Sequence, residues 1–185
     1  MIAAAALLVA TQINSASSSD PPSGHSPEAQ AIVLEALRYE ALRERGWPIC
    51  VRLTSWGVPF DWPAGNGGTG WITPPAKPPA ASLEFQRGPQ VVGAELTAAA
   101  TQAIAAPPPA APAMVIERPR LPARLRSEDP NCADIYYSVP AVVGDIAFVQ
   151  ITFDCGPLCA EGWRYALKRR GGRWSLFAVN FLWIS

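Results

Sequence analysis

Over the last third of the chain, apolar and polar side chains alternate with a period of two, and this alternation constrains the fold more than any other feature. Successive side chains of a strand point to opposite faces, so Trp163, Tyr165 and Leu167 share one face while Arg164 and Lys168 take the other. Four strand-like runs follow one another: Asp134 to Val142, Ile146 to Phe153, Trp163 to Arg170 and Trp174 to Trp183. Gly144-Asp145 joins the first two. Gly171-Gly172 joins the last two, where glycines supply the positive φ angles of a two-residue hairpin turn. The pattern predicts an antiparallel meander with one buried face.

Such a face needs cover, and two upstream segments at helical spacing offer it. The first opens with Ser26 as N-cap, Pro27 at the first helical position and Glu28 against the positive end of the dipole. Ala29, Ile32, Val33, Ala36 and Leu37 then form an apolar stripe, with Arg38, Glu40, Arg43 and Glu44 expected in water. Gly46 is expected to close the helix and Pro48 forbids its continuation. A strand from Ile49 to Ser55 follows. The second helix is expected between Pro89 and Pro107, with Val92, Leu96, Ala99, Ala100, Ala103 and Ile104 on one side. The expected fold class is α+β, with two N-terminal helices packed on an antiparallel β-meander.

Between these elements the composition changes. Proline makes up 20 of the 185 residues and is concentrated in the middle of the chain. The segment from Trp56 to Gly70 carries glycines and prolines that propagate neither helix nor strand. Pro74, Pro75, Pro78 and Pro79 give a polyproline-like stretch, and Pro107 to Pro112 reads as a linker. The expected organisation is a signal peptide over 1–18, a flexible segment over 19–25, and a single domain over 26–185. Low-complexity insertions interrupt that domain at about 56–88 and 107–130.

The amino-terminal assignment rests on a short apolar run, Ile2 to Ala10, followed by small polar residues from Ser15 to Ser19. It falls far short of the roughly 20 residues that span a bilayer, so an export signal is expected and a stable membrane span is not. The first basic residue is Arg38, so the usual positive opening of a signal is missing. Four cysteines in an exported chain imply two disulfides with three possible pairings. Cys155–Cys159, closing around the Gly156-Pro157 bend, and Cys50–Cys132 are preferred over a cross-link from Cys50 to Cys155 or Cys159. The expected location is periplasmic or extracellular. With 15 basic and 15 acidic side chains, the chain has no net charge to hold nucleic acid or an anionic membrane.

The carboxy-terminal residues also carry a resemblance. Phe148 to Asp154 leads into Cys155-Gly156-Pro-Leu-Cys159, then Gly162-Trp-Arg-Tyr165, Gly172-Arg-Trp174 and finally Trp183-Ile-Ser185. This resembles a group of small exported bacterial proteins of unknown function sharing Cys-Gly-x-Leu-Cys, Gly-x-Trp and a terminal Trp-Ile-Ser. The resemblance covers residues 132–185 well and 26–55 loosely. It implies a cystatin-like or NTF2-like cone and no activity.

Several residues invite a chemical reading. Cys155-Gly-Pro-Leu-Cys159 is similar to a thioredoxin-type dithiol, but one extra residue separates the cysteines and a strand follows, which favours a structural bridge. The four cysteines do not show the paired knuckle spacing of a structural zinc site. His25 is the one histidine and precedes the first helix, which removes the base from any nucleophile–histidine mechanism. Asp145, Asp154 and Glu161 at strand ends form a weak carboxylate set, more readily read as solvated turn residues. Trp56, Trp62 and Trp71 in the Gly/Pro segment are candidate ligand-stacking residues, against a reading as loop self-packing. Lys168, Arg169, Arg170 and Arg173 read as a solvated hairpin turn. No catalytic residue, metal or cofactor is implied. The expected function is an exported, non-enzymatic binding or accessory domain for a small molecule or protein. The alternative is a thiol-disulfide oxidoreductase or a hydrolase in a helix–sheet pocket.

Overall fold

The computed structural model describes residues 26–44, 48–52, 70–76, 78, 89, 93–105, 114–129, 131–156 and 159–184. Its helices are α1 (Pro27–Glu40) and α2 (Ala94–Ala105), with two 3-10 turns at Arg118–Arg120 and Ala123–Leu125. Its strands are β1 (Ile49–Val51), β2 (Trp71–Ile72), β3 (Ala133–Tyr137), β4 (Ala141–Val143), β5 (Ile146–Asp154), β6 (Ala160–Arg170) and β7 (Arg173–Ile184). They form one sheet in the order β1-β3-β5-β6-β7-β2, with β4 pairing against the other half of the β5 edge that β3 occupies.

The meander sits at the centre of this sheet. Gly171 and Gly172 adopt φ of +54° and +77°, the left-handed pair that a two-residue turn between β6 and β7 requires. The first expected strand is broken into β3 and β4, because Pro140 has no N–H to give to a ladder. Ser138 bridges the break by donating its N–H to Gln150 O and accepting Gln150 N on its Oγ, both at 2.9 Å.

The expected fold class is corrected on two counts. The sheet has seven strands and is mixed, since β1 runs parallel to β3 while the other pairs are antiparallel. The two helices do not share one face. Ala147, Val149, Ile151 and Phe153 of β5 join the cluster containing α1, whereas Ile146 and Phe148 join the one containing α2. β5 and β6 are thus buried on both sides, and Ile146-Ala-Phe-Val, apolar at both parities, is the sequence mark of such a strand.

α1 begins as its cap dictates, with Ser26 Oγ accepting the Ala29 N–H at 3.0 Å. It ends at Glu40 and continues as a turn. Gly46 lies outside the described residues. Glu40 and Arg43, expected in water, are 0% and 2% exposed. The turn after α1 carries them inward to the sheet. There Arg43 Nη1 donates to Glu161 Oε1 at 2.8 Å and lies 3.6 Å from Glu40 Oε1. The Tyr165 hydroxyl donates to that same Glu40 oxygen, and the guanidinium stacks over Trp163, 4.9 Å from its centroid. Burial and then the Glu40 carboxylate raise the Tyr39 phenol well above its ordinary pKa. Its hydroxyl donates to Pro75 O at 3.1 Å and so ties the chain after β2 to α1.

On the opposite face α2 buries Leu96, Ala99, Ala100 and Ala103 against Phe148, Ala166 and Ala178. Two neighbouring cations secure both helices. Lys168 reaches Glu95 in the first turn of α2 at 2.8 Å, and Arg169, pointing to the other face, reaches Glu28 in the first turn of α1 at 2.9 Å. The expected solvated turn therefore holds ion pairs at two of its four positions. Partly exposed pairs of this kind contribute about 0–1 kcal/mol each.

The segment expected as a low-complexity insertion also differs from its reading. Residues 114–129 have only 3-10 turns, yet Met114, Ile116, Leu121 and Leu125 are buried in the α1-side core. Tyr137 donates to Met114 O at 3.1 Å, and burial pushes its phenol up to about 12. Spaced apolar anchors between prolines hold this chain on the core without regular hydrogen bonding. No helix among the described residues is long and apolar enough to cross a membrane.

Replacing a fully buried Ile116 by Ala should therefore cost about 2–5 kcal/mol of stability, as core truncations do. Urea unfolding of the oxidised chain measures it. A loss below about 0.5 kcal/mol, the usual range for surface positions, would restore the linker reading.

Candidate functional site

One lateral row of the sheet runs Cys50, Asp134, Asp154 and Ala160, each paired with the next across β1, β3, β5 and β6. Both disulfides meet this row. Cys50 is joined to Cys132, with Cα atoms 5.6 Å apart, and Cys155 to Cys159, with Cα atoms 5.1 Å apart. The pairing preferred from sequence is the one observed, and no free cysteine occurs among the described residues. Between the cross-links lies an open groove of about 600 Å³. Asn131, Cys132 and Asp134 line one side, and Asp154, Cys155 and Cys159 the other.

Local hydrogen bonds shape both walls. On one side Asp129 N donates to Ser127 Oγ at 3.2 Å and Asn131 N donates to Asp129 Oδ1 at 2.8 Å, forming two successive side-chain-capped turns before β3. On the other, Gly156 N donates to Asp154 Oδ1 at 2.9 Å and Cys155 N donates to Cys159 O at 2.8 Å. Gly156 has φ of +123°, a backbone conformation that favours glycine although a Cβ there would meet nothing within 4 Å.

Asp134 and Asp154 are direct cross-strand neighbours, an arrangement that repels unless each charge is answered. Arg52 answers Asp134 at 2.5 Å, and the Tyr136 hydroxyl donates to the same oxygen at 3.3 Å. The Asp134 hydrogen bond first, and Tyr136 next, hold the guanidinium protonated above its ordinary range. Asp154 takes the Gly156 N–H. The sequence does not mark the two aspartates as a pair. The signal was their placement beside cysteines, Asp134 two residues after Cys132 and Asp154 immediately before Cys155.

The other candidates disperse. Asp145 stands at the opposite end of β5 from Asp154, about 30 Å along nine extended residues, where Lys168 lies 3.8 Å away. Glu161 is buried with Arg43, so the three strand-end carboxylates form no common site. Trp71 is 1% exposed in β2 and packs at a tilt on Phe148, with centroids 5.8 Å apart, so its indole fills the α2-side core. Trp56, Trp62 and His25 lie outside the described residues. Among the described residues no group of three His, Cys, Asp or Glu side chains is placed to hold a metal ion.

Two aspartates and a disulfide on each side give the groove its polar lining. Cys155 follows a strand and β6 is the next element, so among the described residues no helix N-terminus adjoins the sulfur to stabilise a thiolate, and two aspartates line the same groove. Both features favour a closed bridge over exchange. No family model, curated protein or solved structure matches this chain.

The two cross-links should differ in weight. In the chain-entropy model a bridge spanning 82 residues contributes about 4.5 kcal/mol, and one spanning 4 contributes about 2. Thermal unfolding of the Cys50→Ser/Cys132→Ser and Cys155→Ser/Cys159→Ser pairs compares them. The first pair should lose more; equal losses would mean that Cys50–Cys132 closes a loop already restrained in the unfolded chain.

Proposed function

We propose that this chain is an exported, non-catalytic binding domain, and that the groove between its two disulfides is the recognition surface. The observation that carries the reading is convergence: two cross-links, 82 and 4 residues in span, meet at one row of the sheet and rim one groove. A preorganised surface loses less entropy on binding than a mobile one. The disulfides and the apolar run from Ile2 to Ala10 together support an oxidising compartment outside the cytoplasm. The carboxy-terminal motifs support kinship with the small exported bacterial proteins that they resemble.

Asp134 and Asp154 give the groove its chemistry, offering acceptor oxygens to a ligand with hydrogen-bond donors or positive charge. Titrating amine-bearing and neutral fragments into the oxidised, isotope-labelled chain tests this. Amine-bearing fragments should shift the amides of residues 131–134 and 154–156, and Asp134→Asn/Asp154→Asn should abolish those shifts. Fragments that leave this row untouched while binding elsewhere would remove the groove as the recognition surface.

A further inference from the structure

The strand pairing that carries the longer disulfide also places Arg52. β1 and β3 run parallel, with Cys50 beside Asp134, and Arg52 follows Cys50 by the same step of two by which Asp134 follows Cys132. Cys50–Cys132 holds the two strands in that register. Arg52 N–H donates to Ile135 O at 2.8 Å, which carries the pairing one residue past β1. Its guanidinium then meets Asp134 Oδ2 and lies over the Tyr136 ring, 5.9 Å from its centroid.

Each aspartate of the groove is thereby half engaged. Asp134 commits Oδ2 to Arg52 and the Tyr136 hydroxyl, and Asp154 commits Oδ1 to the Gly156 N–H. Asp134 Oδ1 and Asp154 Oδ2 have no partner among the described residues. Directly opposed residues hold their Cβ atoms about 4.5–5.5 Å apart, so one bound group can meet both carboxylates. Two bare carboxylates that close suit a divalent cation with oxygen ligands, or a diamine. Arg52 changes the balance. Two carboxylates and one guanidinium leave a single negative charge, and none of the described lining residues is basic.

We propose that Arg52 sets the charge specificity of this groove: it neutralises Asp134 from beside the lining, so that the groove takes one positive charge and rejects divalent cations and diamines. The inference rests on the groove being the recognition surface. Arg52 acts through Asp134 and is a positioning residue, outside the lining itself. Its side chain is 58% exposed, so replacing it leaves the fold intact, and its effect must be read at fixed ionic strength.

The probes are butylamine, putrescine and calcium chloride, titrated at one ionic strength into the labelled, oxidised chain and followed at the amides of residues 131–134 and 154–156. In the native chain putrescine and calcium should bind no more tightly than butylamine. Arg52→Gln should strengthen both about tenfold relative to butylamine, whereas Arg52→Lys, which keeps the charge, should keep the native ratio. An unchanged ratio in Arg52→Gln overturns the proposal and leaves the groove standing. So does a native chain that prefers calcium, or an Arg52→Lys chain that behaves like Arg52→Gln. Silence of these amides toward all three probes removes the groove itself, so the two failures are distinguishable.

Discussion

Burial of β5 and β6 on both faces is the constraint on which the rest of the molecule depends. A strand that shows apolar groups on one side only needs one layer of cover. One apolar on both sides needs two, and this chain has only two helices among its described residues to supply them. α1 takes one face and α2 the other. Neither is long enough for the whole face, so Met114, Ile116, Leu121 and Leu125 complete the α1 side and Trp71 completes the α2 side. Pro-rich chain is thereby drawn into the core. The alternation at Lys168 and Arg169 then serves both layers at once, sending one cation to each helix.

Within the α1 layer, the buried Arg43 fixes how the helix meets the sheet. Two carboxylates, one from the end of α1 and one from β6, converge on a single guanidinium, with Tyr165 donating to Glu40 and Trp163 stacked beneath. Buried charge is tolerated only where it is paired and hydrogen-bonded, and loss of one partner typically costs about 3–5 kcal/mol. An apolar contact tolerates a sliding helix. This node does not, because a shift would strand a charge. It explains why α1 stops at Glu40 and why the following turn bends inward.

What could be read from the sequence follows from how local each signal is. The Ser26-Pro27 helix start, the Gly171-Gly172 turn and the Cys155–Cys159 pair are legible, because a cap, a tight turn and a short loop are decided within a few residues, and Cys50–Cys132 is legible only as the pair that remains. The parallel pairing of β1 with β3 was not, since its register joins Ile49 to Ala133 across more than 80 residues. A helical wheel assigns Glu40 and Arg43 to the outer face because it cannot see a partner such as Glu161. The glycine-rich surroundings of Trp71 read as a loop, though pairing with Asn180 makes it part of a two-residue edge strand with Ile72. In the candidate site, the cysteines were legible and the Asp134–Asp154 pair was not, since cross-strand register decides which carboxylates face each other.

The proposed recognition surface requires a rigid, preformed groove where the two disulfides meet. Amide hydrogen exchange of the same protein, oxidised and then reduced, tests that most directly. If the cross-links shape the groove, reduction should raise exchange selectively at residues 131–135 and 153–161, while the β6–β7 turn and the buried centre of α1 stay protected. Unchanged protection around the groove would mean that hydrogen bonding alone holds it, and the disulfides would lose their place in the account.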